Sequence, residues 1–446
     1  MKLIQTLKNI WKIEDLRKRL IITFLFILVY RFGCFVVLPG IRPSDLAALH
    51  KFTDSGLMQL LDMFSGGAFS QASIFALGIM PYITASIVIQ LLGMVYPRFQ
   101  KMQREGESGR MKLNQYTRYL TVLILLVQAP AYLINLKYQV ASAGGQVNFT
   151  PFTMVFLSIV MTAGAMFIMW LGEKITDKGI GNGISMIILV GIIARFPGAI
   201  VQEFTARLTT AQGGLVMFLV EIIILFAVTA GAVMLTQGTR KVPVQYAKRI
   251  VGNKQYGGAR QYIPLKVNAA NVMPIIFAQA LMFIPITLAG FGAHQNDAGF
   301  IGSFSRTFGD MNGFWYNVVY FLMIVAFTYF YTAITVRPTQ MAEEMKKNSG
   351  FIPGIKPGKK TADYLDSIMS RITLPGSIFL GIVAILPAFA RVFGVNQNFA
   401  QFFGGTSLLI TVGVVLDTLQ QIETHLMMHH YDGLMKSGKV KGRTQG

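Results

Sequence analysis

About ten long apolar segments leave this chain few ways to fold. They lie at 20–38, 74–96, 119–138, 153–172, 184–203, 215–236, 271–291, 314–336, 372–393 and 403–424. Roughly 20 mostly apolar residues in helix match the hydrocarbon thickness of a bilayer. Lipid admits only helices or closed barrels, because each backbone polar group must find its partner inside the protein. Positive charge sorts the connecting segments into two classes. With the N-terminus taken as cytoplasmic, segments 1–19, 97–118, 173–183, 237–270, 337–371 and 425–446 hold 32 Lys and Arg, whereas 39–73, 139–152, 204–214, 292–313 and 394–402 hold 4. Positive charge resists translocation, so both termini are predicted to be cytoplasmic.

Composition agrees with a polytopic membrane protein. Of 446 residues, 53% are hydrophobic and only 13% charged, which leaves little material for a separate soluble domain. The formal net charge of +20 orients the chain and meets anionic lipid headgroups. Cys34 is the only cysteine, so one chain can build neither a disulfide framework nor a thiolate metal site. Lys2, Lys8, Lys12, Arg17, Lys18 and Arg19 before an apolar run look like a signal peptide. The run is too long and more spans follow it, so it reads as an uncleaved first span.

Five spans precede the short segment 204–214 and five follow it. An odd number per half inverts the second half relative to the first, and inverted halves place a pathway at their interface. The predicted organisation is an amphipathic cytoplasmic N-terminus (1–19), a first five-helix half (20–203) and an outer hinge loop (204–214). A second five-helix half (215–424) and a cytoplasmic tail (425–446) complete it.

Three connecting regions stand out. The outer loop 39–73 contains Leu57, Met58, Leu60, Leu61, Met63 and Phe64, then Ser65-Gly66-Gly67. That stretch is too short to span, so it either lies at the lipid surface or folds back into the protein, with the glycine pair as a hinge. Cytoplasmic loop 237–270 carries Arg240, Lys241, Lys248, Arg249, Lys254, Arg260 and Lys266 without an acid. Its glycine-punctuated alternation predicts a projecting hairpin. Loop 337–371 combines Lys346, Lys347, Lys356, Lys359 and Lys360 with Pro353-Gly354 and Pro357-Gly358 turns. Both exceed what topology needs, which points to docking of an acidic or RNA-bearing partner.

Most enzyme classes fail for want of residues. His425, His429 and His430 lack the Glu of a zinc helix, and Gly358-Lys359-Lys360-Thr361 lacks the spacing of a phosphate loop. Gly179-Ile180-Gly181-Asn182-Gly183 follows no strand and is predicted to end one span and start the next. Ionisable residues inside the spans are few, among them Arg31, Arg195, Glu203, Glu221, Arg391 and Asp417, mostly near span ends. That weighs against an ion-coupled carrier, and pairing or snorkelling is the expected role of Glu221 and Asp417. Pro81, Pro274, Pro375 and Pro387 interrupt apolar spans and permit kinks. Ile79 with Ile83, and Ile184 with Ile188, share helix faces; spacing alone assigns them ordinary packing.

Longer motifs point to a family. FSGGAFSQASIFALGIMPYITASIVIQLL (Phe64 to Leu92) is followed by EGESGR (105–110), QYTRY (115–119) and MWLGEKITDKGIGNGIS (169–185). YAKR (246–249), IPLKVN (263–268), FIPGIKPG (351–358) and FGGTSLLI (403–410) come later. In this order, from about residue 17 to 425, they resemble the bacterial SecY family, the central channel of the general protein translocase. The resemblance implies an all-α membrane protein, ten transmembrane helices in two inverted five-helix halves around a central pore. It implies a plug on the outer side near 57–70, formed by Leu57, Leu60, Leu61, Met63, Phe64, Gly66 and Gly67. An aliphatic pore ring would fall on Ile79, Ile83, Ile184, Ile188, Ile276 and Ile410, which overturns the packing reading for those positions. A lateral gate would lie between spans two and three on one side and seven and eight on the other.

The implied partners are SecE-like and SecG-like small membrane subunits, a SecA-like motor ATPase, the ribosome, signal peptides, nascent chains and membrane lipid. No cofactor is implied. Docking would use Lys248, Arg249 and Lys356. The family usually has PGIRPG where this chain has Lys356, which keeps the charge and loses the bidentate fork. The expected function is a passive, gated, protein-conducting channel in the plasma (inner) membrane. The competing reading is an ion-coupled secondary transporter of a small solute; an intramembrane enzyme lacks any nucleophile–base or metal constellation.

Overall fold

A computed structural model describes residues 11, 13–41, 62–142, 150–209, 214–246, 249–251, 254–256, 260–279, 281–282 and 313–436. The chain divides into two compact units, Met1–Pro197 with Val414–Gly446, and Gly198–Gly413. The described elements are helices α1 (Glu14–Cys34), α2 (Met80–Val95), α3 (Pro97–Arg104), α4 (Glu107–Ser142), α5 (Pro151–Lys178), α6 (Gly183–Thr209) and α7 (Gly214–Gln237). Strands β1 (Thr239–Tyr246), β2 (Arg249–Val251), β3 (Lys254–Tyr256) and β4 (Arg260–Lys266) follow. Then come α8 (Phe314–Thr335), α9 (Pro338–Lys347), β5 (Gly350–Phe351), α10 (Lys359–Val392), α11 (Gln397–Ala400) and α12 (Gly405–Lys436). Residues 273–279 are also helical.

Among the described residues seven helices are long and apolar enough to cross a membrane, or eight if the bent pair Met80–Gly93 and Pro97–Gln103 counts as one span. The first expected span corresponds to α1, whose first turns carry Arg17, Lys18 and Arg19. Of the expected span 271–291, residues 280 and 283–291 lie outside the described residues. Lipid-facing character is plain in α7, where only 11% of the apolar window is buried. Leu215, Val216, Leu219, Ile223 and Phe226 are all exposed on it. Polar residues in the spans satisfy themselves locally. The hydroxyls of Thr121, Ser158, Thr328, Thr332 and Thr373 each donate to the carbonyl four residues earlier at 2.7 Å.

In the first unit the expected span 74–96 is helical only from Met80, and residues 65–79 run as turns. Pro81 therefore starts a helix and does not kink one. It sits in the first turn of α2, where a missing N–H costs nothing. Pro274 likewise stands at the start of helical residues 273–279. Pro375 and Pro387 do lie inside α10. The turn segment is threaded between helices at glycine contacts. A Cβ on Gly33 of α1 would meet the Phe75 ring at 2.0 Å, and one on Gly164 of α5 would meet the Ile74 carbonyl at 2.5 Å. Phe69, Ala72 and Ala76 pack with Leu38, Tyr132, Leu133, Leu136, Leu157 and Met161 in the core of this unit. The Gly179–Gly183 stretch ends α5 and opens α6, as its composition predicts. Its backbone is held by Thr23 and Gln421, which accept from Ile180 N–H and Gly181 N–H at 3.0 and 2.9 Å.

In the second unit the hairpin expected in 237–270 is present as antiparallel β1 and β4, with Val242 opposite Ile263. Unexpectedly, β1 also pairs with β5, Gln245 opposite Phe351 and Tyr246 opposite Gly350. Loops 237–270 and 337–371 thus share one three-stranded sheet, ordered β4-β1-β5, while β2 and β3 pair with each other. Pro243 is tolerated because it falls outside the stretch that β5 covers. The inward Val242 and Val244 pack on Leu265, Met345, Ile352, Leu365 and Met369. That core explains why α10 starts at Lys359, well before the expected 372: Ala362, Leu365 and Met369 form a buried stripe under the sheet.

The second unit also buries a charge cluster. Helix α6 continues to Thr209, so Arg207 is helical and not part of an outer loop. Its Nε meets Glu203 Oε1 at 2.9 Å, and its Nη2 meets Glu221 Oε1 at 2.5 Å and the Gly394 carbonyl at 3.0 Å. Glu203 accepts from Asn396 N–H at 2.9 Å. The pairing expected for Glu221 is therefore present, joining α6, α7 and the turn after α10. Removing the guanidinium alone should strand two buried carboxylates, at a cost of about 3–5 kcal/mol. Arg207→Met should lower the unfolding midpoint in detergent by several degrees, and adding Glu203→Gln and Glu221→Gln should recover much of the loss. An unchanged midpoint for the single variant would remove the staple role.

Candidate functional site

Four of the six expected ring positions lie in the first unit. Ile79 caps α2 and is 2% exposed; its carbonyl accepts the Ile83 N–H at 3.1 Å, so the two stack along one turn, with Ile83 half-buried. Ile184 is half-buried in the first turn of α6 and packs over Gly172, and Ile188, one turn on, is buried. Both pairs flank one feature. A Cβ on Gly78, beside Ile79, would lie 3.3 Å from Ser65 Cβ, and one on Gly191 would lie 3.1 Å from the Phe64 carbonyl. The 64–66 turn thus abuts the backbone beside both isoleucine pairs. Ile276 and Ile410 lie in the second unit. Ile276 is half-buried between the fully buried Ile275 and Phe277, whose ring packs on Phe327 and Tyr331; Ile410 of α12 is buried.

Of the expected plug residues, Leu57, Leu60 and Leu61 lie outside the described residues, and Met63, Phe64, Gly66 and Gly67 lie within them. Residues 62–70 fold back into the protein: Asp62 is fully buried, and Met63, Phe64 and Ser65 are buried. Apolar composition explains the burial but not its polar partners. Tyr30 and Arg31 of α1 donate to the carbonyls of Ser65 and Gly66 at 3.1 and 2.7 Å. Tyr132 of α4 donates to the Phe69 carbonyl at 2.9 Å. Asp62 Oδ1 accepts from Ser70 N–H at 2.7 Å, Asp62 pairs with the Arg195 guanidinium of α6, and Arg195 Nη2 donates to Ser70 Oγ at 3.0 Å.

Glycine makes this approach possible. Gly66 has φ +68° and Gly67 φ +93°, a left-handed region that favours residues without Cβ. Asp62, Ser70 and Arg195 were not expected to act together. The available signal was Asp62 itself, an acid inside an apolar run, which needs a buried partner.

Of the expected docking positions, Lys356 follows β5 of the three-stranded sheet. Lys356 is exposed in the turn between β5 and α10, set by Gly354 (φ +85°) and Gly358 (φ +102°), and its carbonyl accepts from Thr361 Oγ1 at 3.0 Å. Arg249 opens β2, and Lys248 lies outside the described residues. The Tyr246–Gly350 pairing sets the chain just before Lys248 beside the chain just before the Lys356 turn. Among the described residues no group of three or more His, Cys, Asp or Glu could hold a metal ion.

The family model for SecY matches residues 73–419. The chain belongs to the SecY family. The protein translocase subunit SecY of Streptomyces galbus is 44% identical over 435 residues, covering 96% of this chain and 98% of that one. The protein of the same description from Mycobacterium tuberculosis strain H37Rv is 42% identical over 443 residues, covering 95% and 97%. A solved structure described as a protein-conducting channel shares the fold at TM-score 0.61 and 20% identity, with 92% of each chain covered. Sec61 in a canine ribosome–channel complex does so at TM-score 0.58 and 20% identity. The protein is accordingly a multi-pass, predominantly helical membrane protein with the ten-helix SecY architecture.

The glycine geometry carries its own test. In Gly66→Ala the new methyl would stand 2.9 Å from Arg31 Nη1 and 3.0 Å from Gly191 Cα at a left-handed φ. The expected cost is about 1–3 kcal/mol, read as a lower unfolding midpoint. Gly198→Ala, with nothing within 4 Å of its new Cβ, is the control and should not fall. Equal midpoints for the two would contradict the close packing.

Proposed function

We propose that this protein is the gated, protein-conducting subunit of a secretory translocase. It passes unfolded polypeptides across the plasma (inner) membrane and releases apolar segments sideways into lipid. The observation that carries the reading is the end-to-end likeness to curated protein translocase SecY subunits. The chemistry of the assigned positions fits. Ile79, Ile83, Ile184, Ile188, Ile276 and Ile410 form a ring without a charge or a fixed hydrogen-bonding group. A narrow apolar constriction dewets and raises the barrier to hydrated ions. Branched side chains close round an extended chain of almost any sequence, whereas fixed polar groups would discriminate among clients. A lateral exit lets a segment of about 20 apolar residues partition into lipid, where its transfer free energy is favourable.

The protein acts as a channel and not as a catalyst, so energy comes from outside: a SecA-like ATPase or a translating ribosome. Their docking site is the β4-β1-β5 sheet with Lys248, Arg249 and Lys356. The Sec61 neighbour bound to a ribosome supports a cytoplasmic partner of that kind. SecE-like and SecG-like subunits cover lipid-facing helices. Both termini lie in the cytoplasm, in keeping with the Lys and Arg asymmetry. Of the two carboxylates that an ion-coupled carrier could use, Glu221 faces Arg207.

Photo-crosslinkers at Ile83 and Ile276 should capture an arrested secretory preprotein, with a lipid-facing probe at Ile223 silent. Capture at Ile223 but at neither ring position would refute the pathway. Reversing charge at Lys248, Arg249 and Lys356 together should lower partner-driven translocation severalfold while the protein stays in the membrane. Export at the parent rate would refute the docking role.

A further inference from the structure

Asp62 and Arg195 have no part in the family-derived reading of the channel, yet they form an ion pair on the 62–70 segment. The Asp62 carboxylate is completely buried, shared between Ser70 N–H and the Arg195 guanidinium. Arg195 also donates to Ser70 Oγ, so one side chain of α6 grips both ends of the segment. From α1, Arg31 donates to the Gly66 carbonyl at its middle. Two cations on separate helices therefore hold one turn; Gly66 and Gly67 admit them to the backbone, and Gly191 lets the turn approach α6.

We propose that the Asp62–Arg195 pair, backed by Arg31, is a latch that holds residues 62–70 in place and sets how strongly apolar a targeting segment must be to open the channel. The inference rests on the channel reading above. The Asp62 carboxylate is fully buried and the Arg195 side chain partly accessible, so parting the two inside the protein leaves the carboxylate without its counter-charge. Withdrawal of the segment is then close to all-or-none: closed with the pair intact, or open with water hydrating the freed carboxylate. A client shifts that equilibrium only by its differential affinity for the open state. Weakening the latch lowers the affinity a client must supply.

The test uses the full chain assembled with its small membrane subunits in proteoliposomes with the motor ATPase, comparing Asp62→Asn, Arg195→Gln, Arg195→Lys and Asp62→Asn with Arg195→Gln. Two readouts apply: resting ion current, and transport of a preprotein whose targeting segment has lost two or more leucines. Each neutralising single variant should raise both by about tenfold or more. Arg195→Lys should stay near the parent, and the double variant should be no leakier than the worse single. Transport of a normal preprotein, retained in every variant, reports intact folding. Should Asp62→Asn fail that check, Arg195→Gln and Arg195→Lys still decide the matter. Parent-level current and client threshold in Arg195→Gln would overturn the latch and leave the channel reading standing. Failure of the parent protein to move any preprotein would overturn both.

Discussion

Burying polar backbone inside a membrane protein is the constraint on which the described structure turns. Between α1 and α2 the chain leaves helix for a long run of turns, residues 65–79, at a place packed by helices on several sides. Non-helical backbone survives there only when its carbonyls and N–H groups find protein partners. Tyr30, Arg31, Tyr132 and Asp62 supply those partners, Arg195 neutralises Asp62, and glycines at 33, 66, 164 and 191 let the helices approach closely enough to deliver them. The same requirement accounts for the serine and threonine hydroxyls that fold back on their own helices.

Much of this was legible, and the failures have physical causes. Charge asymmetry and span length gave the fold class, because both act locally and directly on insertion. The Gly66-Gly67 hinge and the Gly179–Gly183 turn could be read, since glycine at a forced left-handed position leaves a local mark. Pro81 misled: a proline in an apolar run breaks a helix or begins one, and only the turns before Met80 decide which. Arg207 looked like loop because polarity suggests loop. Its helix survives to Thr209 because Glu203 and Glu221 make burial of the guanidinium tolerable. Two-residue β5 was invisible for a different reason, having no periodicity to detect. The Asp62–Arg195 pair joins residues far apart in sequence, a relation that single-sequence patterning cannot carry.

The sheet changes how the two basic loops should be regarded. As separate loops they would offer independent charges to a partner. As β4-β1-β5 over a shared core with α10, they form one body continuous with the long helix that carries Pro375 and Pro387. If a motor or ribosome docks at Lys356 as proposed, its force would be delivered to a folded element rooted in a membrane helix, not spent on straightening a tether.

A sealed apolar waist that yields to a threaded chain is the central claim, and single-channel recording of the assembled translocase in a planar bilayer tests it most directly. At rest the channel should be silent. Release of an arrested preprotein from an occupied channel should expose a brief conducting state before closure. A steady current at rest, or a current indifferent to the preprotein, would contradict the seal and with it the function assigned to those six isoleucines.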